Sequence, residues 1–192
     1  MKSKTKCLAV FILPLIGWSN PLETSGPLIP PDLDLGPIIN DSYHFLRERE
    51  PEMTDNEFAL YEQVLPMVFE RPEFAVTLLE TLLADDEPES PAFAFALANV
   101  YFSSENYDLA EKYYKDAVHR FPEFVRCWTN LAMLYYTMER YEDAVPCFVE
   151  AINLGNREAQ AFGLLGYSLR EIGNPIAAEN AFQQAYATDP QN

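Results

Sequence analysis

The chain repeats itself with a constant period from Pro91 onward. Three segments align without a gap, at residues 91–124, 125–158 and 159–192. Each segment divides into two stretches whose apolar residues recur at helical spacing, and a short polar turn joins the two stretches. This organisation predicts an all-α array of antiparallel helix pairs, with one pair in each segment.

Small and large side chains keep fixed places within the repeat. Small residues allow two antiparallel helices to approach closely, and large rings fill the gaps beside them. The small positions are the eighth, twentieth and twenty-seventh of each segment: Ala98, Ala132, Gly166, Ala110, Ala144, Ala178, Ala117, Ala151 and Ala185. The large positions are the fourth, seventh, eleventh and twenty-fourth: Trp128, Phe162, Leu97, Leu131, Leu165, Tyr101, Tyr135, Leu169, Tyr114, Phe148 and Phe182.

This pattern resembles the tetratricopeptide repeat over residues 91–192. The resemblance implies a right-handed α-solenoid in which the first helices of successive units line a concave groove. Two departures stand out: Ala94 replaces the usual large residue, and Asn156 replaces a proline that the other units carry as Pro122 and Pro190. Asn174 is placed to cap the helix that Pro175 opens.

Residues 54–90 form a degenerate unit of two helices before the clear repeats. We expect Thr54 or Asp55 to cap the first helix and Pro72 to lie in the first turn of the second. Pro66 falls inside the first helix and is expected to kink or shorten it. As a terminal pair, this unit should cover the exposed face of the first clear repeat.

Residues 1–19 have the pattern of a secretory signal peptide. Three lysines precede an uncharged run, and small residues follow near a cleavage site at Ser19. The run is too short to span a bilayer, and Cys7 precedes it, so neither stable membrane insertion nor lipid attachment is expected after cleavage. The sequence therefore predicts export to the periplasm or beyond. The alternative is an uncleaved hydrophobic tail on a cytoplasmic protein.

Residues 20–53 are rich in proline and lack a sustained period, which predicts an extended tether. The end of this stretch, residues 43–50, is a candidate short helix that Pro51 would terminate. The whole chain has a formal net charge of −17. Such a surface disfavours nucleic acid and anionic lipid as partners. It would attract basic partners, or it serves solubility alone.

Two cysteines lie in the repeats, Cys127 and Cys147. Export would expose them to oxidising conditions, so a disulfide has to be considered. The helical pattern places them on different helices, with Cys147 toward the outside. We predict two unpaired thiols, one packed and one partly exposed, with a disulfide as the alternative.

The resemblance implies that the groove binds an extended peptide or a partner helix. Rings supply apolar area at low entropic cost, and amides can bond an extended backbone. The alternative for some of these rings is packing against the next repeat. The side chains predicted to line the groove are Phe95, Asn99, Phe102, Thr129, Asn130, Met133, Tyr136, Gly163, Tyr167 and Arg170.

One groove type of this family clamps an acidic C-terminus with lysine, arginine and asparagine. Asn99 and Asn130 occupy the two asparagine positions, but Phe95, Gln160 and Leu164 replace the cations. Without cations the carboxylate loses its charge-assisted hydrogen bonds, so we predict no binding of such tails.

Nothing in the sequence points to a reaction, a metal or a cofactor. His44 and His119 have no partner at ligand spacing, and no HExxH or phosphate-loop motif is present. The acidic stretch 84–90 lacks the alternating oxygens and glycine of a calcium loop. We predict that the protein is not an enzyme.

The last helix has no repeat after it to cover its outer face. Tyr186 and neighbouring alanines should face solvent there, unless a partner, a homodimer or further repeats cover that edge. Alternatively Glu179, Asn180, Gln183 and Gln184 make the edge polar enough by themselves.

The sequence favours a non-catalytic adaptor or scaffold of the bacterial envelope or secreted space, with a protein or peptide in its groove. A first alternative is a chaperone of related architecture that guards a secretion substrate. A second is a structural spacer whose groove is filled by its own proline-rich stretch at residues 26–39.

Overall fold

The computed structural model describes residues 49–84 and 89–189. The expected signal peptide and most of the tether, including the candidate helix near residue 43, lie outside the described residues. The described part folds into eight α-helices and contains no strand. The helices are α1 Asp55–Glu70, α2 Pro72–Ala84, α3 Ala92–Ser103, α4 Tyr107–Arg120, α5 Val125–Thr137, α6 Tyr141–Asn153, α7 Ala159–Glu171 and α8 Pro175–Thr188.

The helices stack as consecutive pairs, as the period of the sequence predicts. Within each pair the two helices pack along their length, and the second helix of one pair packs against the first helix of the next. The first helices α1, α3, α5 and α7 also contact one another in sequence. They therefore form one layer of an all-α solenoid, and α2, α4, α6 and α8 form the other.

The turn inside each clear unit has the same backbone geometry. Glu105, Glu139 and Gly173 occupy the same repeat position and have φ of 61°, 58° and 82°. The amide that follows each of them donates to a carbonyl in the last turn of the first helix, for example Asn174 N to Leu169 O at 2.8 Å. This left-handed residue reverses the chain, and only the third unit uses the glycine that adopts it without strain.

Helix starts follow the predicted caps. Thr54 forms a capping box with Glu57: its hydroxyl accepts from Glu57 N, and the Glu57 carboxylate accepts from Thr54 N at 2.8 Å. Asn174 Oδ1 accepts from Ala177 N at 3.2 Å, and Pro175 is the first residue of α8. Both caps are confirmed, and α2 begins at Pro72 as expected.

The expectation that Pro66 shortens the first helix is wrong. Helix α1 continues past Pro66 to Glu70. Pro146 likewise lies inside α6. Both prolines are exposed, so water can reach the carbonyl that the missing N–H leaves without a partner.

The core lies between the two helix layers and consists of the small and large residues of the repeat. The alanines of positions eight and twenty are buried, and so are the rings Tyr114, Phe148 and Phe162. Trp128, Phe182 and Ala185 are only partly buried against this core. The Trp128 indole donates to Pro122 O at 2.7 Å, which holds the loop before α5 against that helix.

Both repeat cysteines are free and buried, so the expected partial exposure of Cys147 is wrong. Cys147 is 6% exposed. Its side chain belongs to the buried hydrophobic core, so this side of α6 is not open to solvent. Burial raises the pKa of the Cys147 thiol to about 12 and that of Cys127 well above its usual value. Neither thiol is reactive near neutral pH.

Gly166 allows the ring of Phe182 to approach α7 closely. A Cβ at Gly166 would lie 2.6 Å from Phe182 Cε1, whereas a Cβ at Gly163 in the same helix would meet no atom within 4 Å. We expect Gly166→Ala to lower the free energy of unfolding by about 1–3 kcal/mol through overpacking. Gly163→Ala is the control and should raise it by up to about 1 kcal/mol. Urea unfolding of both variants measures these changes in the free energy of unfolding. Equal changes in the two variants would contradict the overpacking argument.

Glu111 joins the first two clear units. Its carboxylate accepts from Lys115 Nζ and Arg140 Nη1 at 2.6 Å and from Tyr135 Oη at 3.0 Å. Burial raises the pKa of the Glu111 carboxyl, but these hydrogen bonds outweigh it and leave the pKa below its usual value. Its contribution to stability is therefore complete above the unfolded pKa of about 4.3 and is lost as the pH falls through the lower folded value.

We expect Glu111→Gln to lower the free energy of unfolding by about 1–2 kcal/mol at pH 7, because charge-assisted bonds between units are lost. The difference from wild type should shrink as the pH falls below about 4.3, because protonation of Glu111 then progressively removes the charge that the variant lacks. Urea unfolding of the wild type and the variant at pH 7, 5 and 3.5 measures how this difference in stability depends on pH. Lys115→Gln is the control, because it removes only the exposed partner of Glu111. It should change the free energy of unfolding by less than about 0.5 kcal/mol. A pH-independent difference would contradict the assignment.

At the C-terminal edge, Tyr186 faces solvent as predicted and is 65% exposed. Ile172 and Ile176 of the same unit are exposed too. Asn180, one of the residues expected to make this edge polar, is instead 1% exposed, and its amide has no hydrogen-bond partner in the described part of the chain. The edge thus presents apolar side chains.

Candidate peptide-binding groove

The first helix of each clear unit buries one face and leaves a stripe of partly exposed side chains on the other. On α5 the stripe contains Arg126, Asn130, Met133 and Tyr136, which recur at helical spacing. Helix α3 contributes Asn99 and Phe102, and α7 contributes Gly163, Leu164, Tyr167 and Arg170. Because α3, α5 and α7 are neighbours in one layer, their stripes form one surface, which we call the groove.

Two predicted groove residues do not belong to this surface. Phe95 is 4% exposed, and its ring packs 4.8 Å from Phe124 and 6.0 Å from Tyr114. Phe124 lies in the loop between the first two clear units and covers Phe95. Thr129 is buried too, and its hydroxyl donates to Val125 O at 2.9 Å and accepts from Asn156 Nδ2 at 2.8 Å. The prediction that Phe95 and Thr129 line the groove is therefore wrong, because both side chains belong to the buried core.

Asn99 and Asn130 meet across adjacent units. Asn130 Nδ2 donates to Asn99 Oδ1 at 2.8 Å, and Tyr114 Oη donates to the same oxygen at 2.6 Å. Burial raises the pKa of Tyr114, so its hydroxyl stays protonated and remains a donor. These bonds fix the two amides and leave Asn99 Nδ2 and Asn130 Oδ1 without a partner among the described residues. A donor and an acceptor of this kind can bond the two polar groups of a peptide unit.

Each groove ring is held by a second ring. Phe102 packs edge-on against Tyr107 at 6.0 Å, and Tyr136 packs against Tyr141 at 5.8 Å. Tyr107 and Tyr141 are the first residues of the second helices, so the same contact recurs in two units. These contacts restrict the groove rings before any ligand binds, which lowers the entropic cost of binding.

The third unit presents a ring and a cation. Tyr167 packs against Phe182 at 5.1 Å, and the Arg170 guanidinium lies 4.9 Å from the centre of the Tyr167 ring. Burial raises the pKa of Tyr136, so its hydroxyl stays protonated and can donate to a ligand. Tyr136 on α5 and Tyr167 on α7 lie on neighbouring helices of the same layer.

Sequence reasoning missed Arg126 as a groove residue. Its guanidinium lies 5.2 Å from the centre of the Phe95 ring and 5.8 Å from that of Phe124. The signal was present, because Arg126 precedes Asn130 and Met133 by four and seven positions on the same helix face. Arg126 and Arg170 give the groove two positive charges on a chain with a strongly negative total.

The described residues contain no group of three or more His, Cys, Asp or Glu side chains arranged to hold a metal ion. The described helices also include none that is long and apolar enough to cross a membrane. The prediction that acidic tails do not bind stays untested. Phe95 is buried, and Gln160 and Leu164 place no cation at the other two clamp positions.

Solved structures of MamA share this fold. The chain superposes on MamA from AMB-1 with a TM-score of 0.61 and 22% identity, covering 68% of this chain and 71% of that one. MamA from Desulfovibrio magneticus RS-1, residues 41 to the end, gives a TM-score of 0.65 and 18% identity, covering 73% and 80%. At this identity the likeness concerns the fold alone.

YrrB, described as a TPR protein with an unusual peptide-binding site, gives a TM-score of 0.56 and 18% identity, covering 71% of this chain and 66% of that one. Two family profiles match the sequence itself. The family described as anaphase-promoting complex, cyclosome, subunit 3 matches residues 73–151, and a tetratricopeptide-repeat family matches residues 124–191. Together they extend over residues 73–191, and the chain belongs to the tetratricopeptide-repeat proteins.

Proposed function

We propose that this protein is a non-catalytic adaptor that binds an extended peptide segment of a partner protein in the groove. The tetratricopeptide repeat is a protein-interaction fold. The observation that carries the proposal is the amide pair of Asn99 and Asn130, which Tyr114 fixes and whose Asn99 Nδ2 and Asn130 Oδ1 have no partner in the described part of the chain. An extended peptide can use both, whereas a helix has already paired its backbone groups.

The rings beside the amides supply the apolar contact. Phe102, Tyr136 and Tyr167 would contact side chains of the bound segment, and their ring contacts hold them in place. Arg126 and Arg170 already pair with the carboxylates of Glu50 and Glu171, so an acidic residue of that segment binds either cation by replacing one of these carboxylates. The expected ligand is therefore an extended segment with apolar and acidic side chains.

We propose export as the setting of this function, on the signal-peptide pattern of residues 1–19. In the envelope or secreted space the protein would organise another protein through its groove. If the N-terminus proved intact and the chain stayed in the cytoplasm, a chaperone that guards a secretion substrate would be favoured instead. Edman sequencing of the purified chain from fractionated bacteria separates the two.

The groove is tested with the full chain carrying a C-terminal tag and expressed in a bacterial host. After cross-linking, partners of the wild type are compared with those of Phe102→Glu plus Tyr136→Glu. Two negative charges in this partly exposed surface should reduce recovery of a groove-bound partner at least tenfold, because an acidic segment is repelled and apolar contact is lost.

The matched control is Phe58→Glu plus Phe74→Glu. These rings are about half exposed, 51% and 47%, and lie on α1 and α2 outside the groove. This variant carries the same charge change and should keep the partner. Circular dichroism confirms that both variants fold. Partners that persist in the groove variant would overturn the proposal and direct attention to the apolar C-terminal edge, including self-association there.

A further inference from the structure

The segment before the first helix reaches the groove. Glu50 accepts two hydrogen bonds from Arg126, from Nε at 2.7 Å and from Nη2 at 2.6 Å. Such a bidentate pair is directional as well as charge-assisted. Arg126 belongs to the exposed stripe of α5 and precedes Asn130 by one helical turn. A residue of the chain's own N-terminal segment therefore binds a groove cation.

The path of this segment leads across the repeats. Met53 packs against the core and Pro51 is buried, so the chain is fixed beside α1. Glu50 then lies at the start of α5, where it pairs with Arg126. Followed backward from Met53 to Glu50, the chain therefore passes from beside α1 to the start of the groove helix α5.

The part of the chain that precedes this point, residues 1–48, is long enough to enter the groove. Neighbouring helices are about 10 Å apart, so three groove helices span about 20–30 Å. An extended chain covers that distance with about ten residues. Length therefore does not prevent residues 26–48 from lying along the groove.

The composition of residues 26–48 suits the groove. Its prolines favour an extended chain and leave backbone carbonyls without partners, and Asn99 Nδ2 could donate to one of them. The stretch Asp32–Leu33–Asp34–Leu35 alternates acidic and apolar residues, which in extended chain point to opposite sides. Apolar side chains can then contact the groove rings while an acidic side chain faces Arg170.

We propose that residues 26–48 occupy the groove of their own chain and that an external peptide must displace them. This inference rests on the proposed function, because it assigns the regulation of the same surface. The Glu50–Arg126 pair is the anchor that brings the segment to the groove. Because the segment is tethered, its effective concentration is high, and the affinity for an external peptide is reduced by the fraction of grooves it fills.

Photo-cross-linking of the full chain tests the contact directly. p-Benzoylphenylalanine replaces Tyr136 in the groove, or Phe74 outside it as the matched control. Equal amounts of ¹⁴N- and ¹⁵N-labelled chains are mixed at submicromolar concentration, irradiated and digested. We expect position 136 to cross-link to a peptide within residues 26–48 of the same isotope, and position 74 not to do so. Absent cross-links, or links mainly between isotopes, would overturn occupation within one chain.

A binding measurement tests the anchor. The probe is a fluorescent synthetic peptide with the sequence of residues 26–48, added to the full chain. Glu50→Gln weakens the anchor and leaves the groove intact, so the affinity for the probe should rise about fivefold. Arg126→Gln removes the same pair together with a groove cation and should give no such gain. An unchanged affinity in Glu50→Gln, or no probe binding to any variant, would overturn the inference.

These outcomes are distinct from failure of the proposed function. Loss of a co-purified partner in the groove variant, together with no internal cross-link, supports the adaptor and rejects occupation by residues 26–48. Internal cross-links together with partners that persist in the groove variant support self-occupation and reject the adaptor site.

Discussion

Phe148→Ala is expected to lower the free energy of unfolding by about 3–5 kcal/mol, because the ring is fully buried and its removal leaves a cavity. Phe148 occupies the twenty-fourth position of the second clear unit, on α6. That helix packs against both α5 and α7, so it connects the second unit to the third. For a chain of this length the melting temperature should fall by about 10 °C.

The loss of stability in Phe148→Ala should also be larger on the C-terminal side of the second unit than on its N-terminal side. In a stacked array each unit is stabilised by its neighbours, so a weakened second unit removes the support that α5 and α6 give to α7. Hydrogen exchange should therefore show a larger loss of protection in α7 and α8 than in α3. This pattern would distinguish an array from a domain with one cooperative core.

Phe74→Ala is the matched control. It removes the same atoms from a ring that is 47% exposed, so it should change stability by less than about 1 kcal/mol. Urea unfolding and a thermal scan of both variants measure the difference. A change in Phe148→Ala no larger than in Phe74→Ala would contradict the role of the ring as the link between units.

The period predicted helices α3 to α8 because burial in an array repeats with the sequence. A small residue such as Ala98 or Ala132 marks where two helices touch, and that constraint is the same in every unit. The N-terminal pair was located by its cap and not by the repeat, since Thr54 and Glu57 form a local hydrogen-bonded motif. Pro66 does not shorten α1, because the cost of a proline inside a helix depends on its exposure, which the apolar pattern of one helix does not reveal.

Groove residues were harder to predict from the sequence than core residues, because the rings of the groove and the rings of the core are the same types of side chain. Phe95 and Phe102 both lie on α3, yet Phe124 from a loop covers only Phe95. A loop residue has no fixed place in a helical period, so its effect on exposure is not visible in the sequence. The groove position of Arg126 could have been predicted from its helical spacing to Asn130, but its pairing with Glu50, a residue 76 positions away, could not.

Asn156 shows that a departure from the repeat can be structural. The family pattern places proline there, but Asn156 is buried and makes three hydrogen bonds through its amide groups. Its Nδ2 donates to Thr129 Oγ1, Glu158 N donates to its Oδ1, and its own N–H donates to Ala151 O, each at 2.8 Å. These bonds connect α5, the end of α6 and the start of α7.

Asn156→Ala is therefore expected to lower the free energy of unfolding by about 2–3 kcal/mol, because Glu158 N and Thr129 lose partners in a poorly solvated place. Asn156→Pro should lower the free energy of unfolding further, since it also removes the N–H that donates to Ala151 O. This is expected although proline is the residue that the family pattern has at this position. Asn153→Ala, at the exposed end of α6, is the control and should stay within about 0.5 kcal/mol of wild type.

Loss of the Asn156 side chain should also weaken binding in the groove. Thr129 lies next to Asn130, and its bond to Asn156 fixes α5 relative to the start of α7. Loosening that link would disturb the spacing between Tyr136 on α5 and Tyr167 on α7, so recovery of a groove-bound partner should fall together with stability. Urea unfolding measures the first effect and quantitative cross-linking the second. If Asn156→Pro proved as stable as wild type, the buried amide would have no structural role, and the asparagine would be an interchangeable substitute for the proline of the other units.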